Sequence, residues 1–218
     1  MATVLPLALC AVVAAGCSSA DQETPTPPGA GPSAETSADP AAGIDGVVRV
    51  EYGQATHVDA EHRVAYTHSP PLGGTHDAVW AGCDGVVYPR AVRNENMVHS
   101  LEHGAVWIAY SPDRITGADL DALAGRVSGQ PYLMLSPYPG LDRPISLQSW
   151  GYQLKVDSAG DKRIDEFIRA LRSNSVTTPE PNAPCAAPDG FDVSNPPPFE
   201  PAPPGPDAAP EGAGASGG

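Results

Sequence analysis

The chain has 218 residues, a formal net charge of −14, 26 prolines and 23 glycines. All 12 basic residues lie between positions 44 and 185, and the only charged residues outside this range are acidic. Because nucleic-acid binding needs a basic patch and anionic lipid attracts a polybasic segment, the composition predicts no nucleic-acid partner and no electrostatic attachment to lipid. The length allows one globular domain between two tails.

The first 16 residues form an apolar run that ends in Ala14-Ala15-Gly16 and is followed by Cys17. The run is too short to span a bilayer comfortably, and small residues before a cysteine are typical of a signal peptidase cut. The pattern resembles the lipobox of bacterial lipoproteins, although no Lys or Arg precedes the run. We therefore expect a signal peptide over 1–16 and a palmitate-bearing Cys17 that anchors the chain to the outer face of the cell membrane. The alternative is a short membrane anchor that stays uncleaved.

Two segments flank the core, 17–43 and 186–218, and both are rich in proline and lack Lys and Arg. Neither has enough apolar residues to offset the entropy lost on ordering, so we predict no fixed structure for either. The first would act as a lipidated linker and the second as a free tail. The globular core domain is then expected over 44–185.

Two cysteines remain in the exported chain, Cys83 and Cys185. In an oxidising compartment an isolated pair is most simply a disulfide, which here would close a loop of about 100 residues. The alternative makes both thiolates metal ligands, but neither cysteine has the C-x-x-C spacing of such sites.

The core shows a sequence of strands and helices interrupted by one long irregular segment over 53–98. Long segments of this kind in compact domains are usually functional, and its aromatic residues indicate that this one is ordered. Around it, β-branched runs predict strands and apolar residues at helical spacing predict helices. The predicted order is a strand over 47–52, a short helix over 94–103, a strand over 105–110, a helix over 116–127, strands over 132–136 and 145–156, and a helix over 159–172. This order predicts an α+β fold in which two or three helices cover a mostly antiparallel sheet, with a long ordered loop rich in His, Pro and Gly.

Six histidines fall between positions 57 and 103, and four of them lie in constrained contexts. His68 and His76 bound a proline-stiffened loop, whereas His99 and His103 have the i, i+4 spacing that places two imidazoles on one helix face. We predict that these four bind a metal ion, and imidazole ligands suit copper or zinc. The alternative is that the histidines donate hydrogen bonds to backbone carbonyls and hold the long loop in place.

The two remaining histidines, His57 and His62, lie in the polar stretch THVDAEH. We expect both to be solvated surface residues, because nothing in this stretch constrains the backbone around them. Neither is therefore assigned to the predicted metal site.

The segment from His99 to His103 also matches H-x-x-E-H, the motif of inverzincin metallopeptidases. In such an enzyme Glu102 would activate water, and a downstream carboxylate, for which Glu166 is the candidate, would be the third ligand. The glycine and strand that follow at once argue against the long active-site helix of those enzymes. In a binding site Glu102 would instead accept a hydrogen bond from an imidazole and fix its orientation.

Longer strings in the same region resemble domain-of-unknown-function family 3105. THSPPLGGTHDAVW over 67–80 looks like the family's proline, glycine, histidine and tryptophan element, and ENMVHSLEHG over 95–104 is similar to its core motif. SPYPG over 136–140 and SWG over 149–151 look like later landmarks, whereas Leu72-Gly73 departs from the Ser-Gly or Thr-Gly expected there. The resemblance spans roughly 44–185 and implies an exported or membrane-anchored protein, but it supplies no reaction.

Three functional hypotheses follow. The first is an extracytoplasmic lipoprotein that binds copper or zinc through the four constrained histidines. The second is a metal-dependent hydrolase that uses Glu102 as general base. The third is a structural or interaction module of the cell envelope, with an envelope protein as partner.

Overall fold

A computed structural model describes residues 38–53 and 55–212. The predicted signal peptide over 1–16, the predicted lipidation site Cys17 and most of the predicted linker lie outside the described residues. Among the described residues, no helix is both long enough and apolar enough to cross a membrane.

The described residues form short and long strands around three helices. In chain order the elements are β1 (Val47–Arg49), β2 (His57–Val58), β3 (Val64–Ala65), β4 (His76–Asp77), β5 (Asp84–Val87), α1 (Asn94–Glu102), β6 (Val106–Tyr110), α2 (Gly117–Val127), β7 (Leu133–Pro137), β8 (Ile145–Ser149), β9 (Tyr152–Val156), α3 (Arg163–Leu171) and β10 (Ala209–Pro210). The segment predicted to be one irregular loop therefore contains four short strands.

Six of the strands form one sheet in the order β1-β9-β8-β6-β7-β5. The pairs β1–β9, β9–β8 and β8–β6 are antiparallel. Strand β7 pairs in parallel with both of its neighbours, β6 and β5. The prediction of an α+β fold with a mostly antiparallel sheet is confirmed. Strands β6 to β9 are almost entirely buried, because both faces of the sheet are covered.

Helices α2 and α3 cover one face of the sheet. Helix α3 forms because its apolar residues recur at helical spacing, and Ile164, Phe167 and Leu171 are fully buried against the inward side of the strands. Alternation along β6 sends Val106 and Ile108 into this core cluster.

Helix α1 lies on the other face, in a second core cluster that contains Trp107 of β6. Its residues from Glu95 onward are all buried, charged ones included, because the histidine-rich segment before it and the chain after α3 pack around it. The disulfide predicted between Cys83 and Cys185 is confirmed, with the two Cα atoms 4.7 Å apart. It joins these two irregular segments beside α1.

The prediction of no fixed structure for 186–218 is wrong for residues 186–212. Strand β10 pairs with β3, and Phe191 and Phe199 pack into the second core cluster. The segment has too few apolar residues for a core of its own, but single aromatic residues order it on a surface that is already folded. At the other end, Ala41 is buried in the first core cluster, so the folded domain also begins before residue 44.

One carboxylate fastens the end of this C-terminal segment to the domain. Glu211 is buried and accepts hydrogen bonds from the Tyr52 hydroxyl at 2.9 Å and from the Thr67 backbone N–H at 3.0 Å. Burial and the nearby charge of Glu211 raise the pKa of Tyr52, so its hydroxyl stays protonated and donates.

Candidate metal centre

Strands β2 and β4 and helix α1 bring three histidines and one glutamate together. The short strands β2 and β4 pair in parallel with His57 directly opposite His76. Helix α1, which packs on β4, presents His99 and Glu102 three residues apart on one face. One ligand atom from each of these four side chains lies within 4.8 Å of the other three. We refer to His57, His76, His99 and Glu102 as the inner site.

Backbone carbonyls fix the tautomer of the buried imidazoles. The hydrogen bonds from Nδ1 are His76 to Gly74 O at 2.7 Å, His99 to Asp77 O at 2.6 Å and His103 to Pro184 O at 2.7 Å. A carbonyl oxygen only accepts, so each Nδ1 carries the hydrogen and each neutral ring keeps its lone pair on Nε2. This arrangement is typical of histidines that bind a metal ion through Nε2.

Burial favours the neutral form of His99 and His103. It is the main cause that lowers the pKa of His99 to about 4, against an opposing effect of the hydrogen bond to Asp77. Burial also lowers the pKa of His103. Because only a neutral imidazole binds a metal, both rings are ready to act as ligands at pH 7 without first losing a proton.

Glu102 is the anionic member of the inner site. Its Oε2 lies 3.0 Å from His76 Nε2 and 3.8 Å from His57 Nε2. Burial alone raises the pKa of Glu102, but a hydrogen bond and positive charge from the facing imidazoles when they are protonated, His76 first, outweigh burial and lower it below its ordinary value. The carboxylate is therefore ionised at pH 7.

The contact between His76 and Glu102 leaves a polar atom unsatisfied. His76 is completely buried, and within the described residues its Nε2 makes no hydrogen bond of acceptable geometry. Since Nδ1 carries the hydrogen, a neutral His76 turns a lone pair toward a carboxylate. Two facing acceptors in a buried place require a cation between them, either a proton or a metal ion.

Solvent reaches the inner site from the side of His57. The His57 side chain is 49% exposed, whereas that of Glu102 is 9% exposed. The His57 ring stacks on His99 with the ring centroids 5.0 Å apart. The site thus combines three buried ligands with one accessible imidazole.

A second group of possible ligands shares His99 with the inner site. It consists of His99, His103 and Glu180, whose ligand atoms also lie within 4.8 Å of one another. His103 Nε2 lies 3.5 Å from a carboxylate oxygen of Glu180. The Trp80 ring packs beside both imidazoles and limits the space around them. We refer to His99, His103 and Glu180 as the outer site.

The structure corrects the predicted role of His68. Its Nδ1 lies 3.1 Å from Thr67 Oγ1, and the residue lines a separate cavity of about 350 Å³ with Tyr138 and Asn94. His68 and His76 bound the same loop, but only His76 enters a strand that packs on α1. Proximity along the chain therefore did not bring the two imidazoles together, and His68 belongs to neither site.

His57 takes the place that His68 was predicted to fill. Sequence reasoning assigned it to the surface, and its side chain is indeed half exposed, but its other side faces His76 and His99. The pairing of β2 with β4, two strands of two residues each, places His57 opposite His76. Strands this short leave no readable alternation in a sequence.

Two further residues differ from the sequence-based assignments. Glu166 lies on α3, across the sheet from α1, where its nearest cationic partner is Lys162 at 3.7 Å. Glu180, in the segment after α3, is the downstream carboxylate that meets His103 instead. His99 and His103 do come together as predicted, with ring centroids 4.6 Å apart.

A family model described as "Protein of unknown function (DUF3105)" matches residues 57–187, more than half of the chain. The matched range contains every residue of the inner and outer sites. No curated protein and no solved structure matches the chain.

Proposed function

We propose that this chain, which belongs to the DUF3105 family of proteins of unknown function, binds a divalent transition metal, zinc(II) or copper(II), at the inner site. The observation that carries the proposal is the buried Nε2 of His76, which faces the ionised carboxylate of Glu102 without a hydrogen bond among the described residues. A metal ion bound by both atoms supplies the missing positive charge.

A purely structural role for the histidines explains the contacts of Nδ1 but not those of Nε2. The Nδ1 hydrogen bonds to carbonyls hold the loop on α1, as the structural hypothesis requires. They leave the Nε2 atoms of both rings unused, and that of His76 faces Glu102 at 3.0 Å. Burying an acceptor without a donor costs about 1–3 kcal/mol, and in a structural role only a proton held between His76 and Glu102 would offset that cost.

The ligand types favour a borderline metal. Three imidazoles and one carboxylate suit tetrahedral zinc, and imidazole nitrogens also suit copper(II). The thioethers of Met97 and Met134, which would favour copper(I), are buried in the second core cluster among apolar side chains. The site chemistry therefore supports a divalent ion.

We further propose that the protein works outside the cytoplasm as a lipoprotein tethered through Cys17. The disulfide between Cys83 and Cys185 supports this location, because such bonds persist in oxidising compartments. The small residues before Cys17 support the lipid anchor. A tethered metal-binding domain would hold its ion close to the membrane surface.

The direct test is metal analysis of the purified full-length chain. After incubation with zinc or copper(II) and removal of free ion, we expect one tightly bound ion per chain by elemental analysis. The double substitution His76→Ala with His99→Ala should abolish it. His62→Ala is the matched control, since the His62 ring is exposed and its Nδ1 lies against the nearby Asp59 carboxylate, away from both groups of ligands. Absence of bound ion in the wild-type chain, or equal binding in the double variant, would exclude the proposal.

A further inference from the structure

His99 is a member of both the inner and the outer site, and this places a chemical limit on how the two are filled. Its Nδ1 donates to Asp77 O at 2.6 Å, so only Nε2 is available to a metal. One imidazole lone pair binds one ion at a time. The inner and outer sites therefore compete for this ring.

The outer site is built in the same way as the inner one. His103 is 2% exposed, its Nδ1 donates to Pro184 O, and its Nε2 is turned toward Glu180. The disulfide at Cys185 follows Pro184 directly and holds this stretch of chain beside α1.

We propose that His99, His103 and Glu180 form a second, weaker metal position that competes with the inner site for His99. The proposal rests on metal binding at the inner site. The outer position is weaker because it has three ligands rather than four, and its Glu180 side chain is 53% exposed. When an ion at the inner site holds His99, only His103 and Glu180 remain for a second ion.

This arrangement gives the chain two neighbouring positions for one firmly held ion. The ring centroids of His76, His99 and His103 follow one another at 4.7 and 4.6 Å. An ion can thus pass from Glu102 to Glu180 by exchanging ligands around His99 while one imidazole always stays bound. Such a pathway suits a protein that hands its metal to another ligand.

The test weakens the inner site by gentle changes and asks whether an ion stays. His57→Ala removes a half-exposed ring, and Glu102→Gln keeps the shape of the side chain, so the double variant H57A/E102Q is expected to fold. Zinc affinity is measured on the full-length chain by competition with a chromophoric chelator, and circular dichroism checks the fold. We expect H57A/E102Q to keep one zinc ion with affinity reduced about 10- to 100-fold.

The added substitution E180Q then decides the proposal. In the H57A/E102Q background it should reduce the remaining affinity by a further tenfold or so, whereas E166Q in the same background should change nothing. If the wild-type chain binds zinc but H57A/E102Q binds none, or if E180Q has no effect in that background, the outer position does not exist and the inner site stands. If the wild-type chain binds no zinc, both proposals fail.

Discussion

His76 Nε2 and Glu102 Oε2 lie 3.0 Å apart although both are acceptors when the ring is neutral. This relationship separates two functional hypotheses for Glu102. A ligand must reach the metal with its oxygen, and its loss weakens binding. A general base must stand beside a metal-bound water, and its loss leaves the metal in place. The contact with a candidate ligand nitrogen favours the first.

Glu102→Gln should therefore lower zinc affinity by about tenfold or more, because the neutral amide neither balances the charge of the ion nor satisfies His76. Competition titration of the full-length chain measures the effect. Glu166→Gln, on the far side of the sheet, is the control and should bind zinc like the wild type. Unchanged affinity in Glu102→Gln, together with loss of a hydrolytic activity, would revive the hydrolase hypothesis.

Two histidine substitutions should reverse the order that the sequence predicts. His57→Ala should weaken zinc binding about tenfold, since its Nε2 belongs to the inner site. His68→Ala should leave affinity unchanged, since that ring contacts Thr67 in another cavity. Both side chains are at least partly exposed, so neither change should unfold the domain. Equal affinities in the two variants would contradict the assignment.

Acid should destabilise the metal-free protein through His99. Its pKa is about 4 in the folded state and near 6.5 in the unfolded chain, so the unfolded state binds more protons between these values. The contribution of His99 to the free energy of unfolding is fully present above pH 6.5 and is lost as the pH falls toward 4. Between pH 7 and pH 5 it amounts to about 2 kcal/mol of unfolding free energy.

Urea unfolding at both pH values, with chelator present, measures this loss. His103, whose pKa is also lowered, contributes in the same direction. In His99→Gln the difference between pH 7 and pH 5 should shrink, because glutamine does not titrate. A variant that loses the same stability on acidification would show that other groups dominate.

The C-terminal segment should contribute to stability, contrary to its composition. Glu211→Ala leaves the Tyr52 hydroxyl and the Thr67 N–H without their acceptor and should cost about 3 kcal/mol. Glu200→Gln, in the same segment, breaks only a solvent-exposed ion pair with Arg63 and should cost less than about 1 kcal/mol. Denaturant unfolding compares them. Equal stabilities would mean that the end of the segment is not fastened.

Loss of the disulfide should destabilise the domain more than any of these single changes. The bond between Cys83 and Cys185 closes a loop of about 100 residues, so its removal in C83S/C185S should cost about 4 kcal/mol. The same change frees the chain around Pro184, which orients His103. Chemical unfolding with and without reductant checks the value, and an unchanged midpoint would contradict it.

The main fold was accessible from the sequence because its signals are local. Helix α3 has apolar residues at i, i+3, i+4 and i+7, β6 and β7 are largely apolar runs, and β8 and β9 alternate apolar with polar residues, so period and composition suffice. The prediction for residues 186–212 was wrong for the opposite reason. Their order comes from isolated contacts of Phe191, Phe199 and Glu211 with distant parts of the chain, and such contacts have no period.

The candidate ligands differ in the same way, because some are positioned by local spacing and others by tertiary packing. The pair His99 and His103 could be predicted, since helical spacing alone sets their proximity. His57 and Glu180 could not, because each reaches the cluster through tertiary packing of an irregular segment. His68 was predicted wrongly, since a loop of seven intervening positions does not fix the direction of its two ends.

Gly74 links a predicted metal ligand, His76, to the C-terminal segment. Its carbonyl orients His76, its backbone has φ +90°, and a Cβ there would collide with the backbone oxygen of Glu211. Glu211 lies well beyond residue 187, where the family match ends. The loop that carries His76 is therefore packed against a residue beyond the family match. Among relatives, positions 74 and 211 should covary, and lineages that lack the C-terminal segment should have evolved another means of holding that loop.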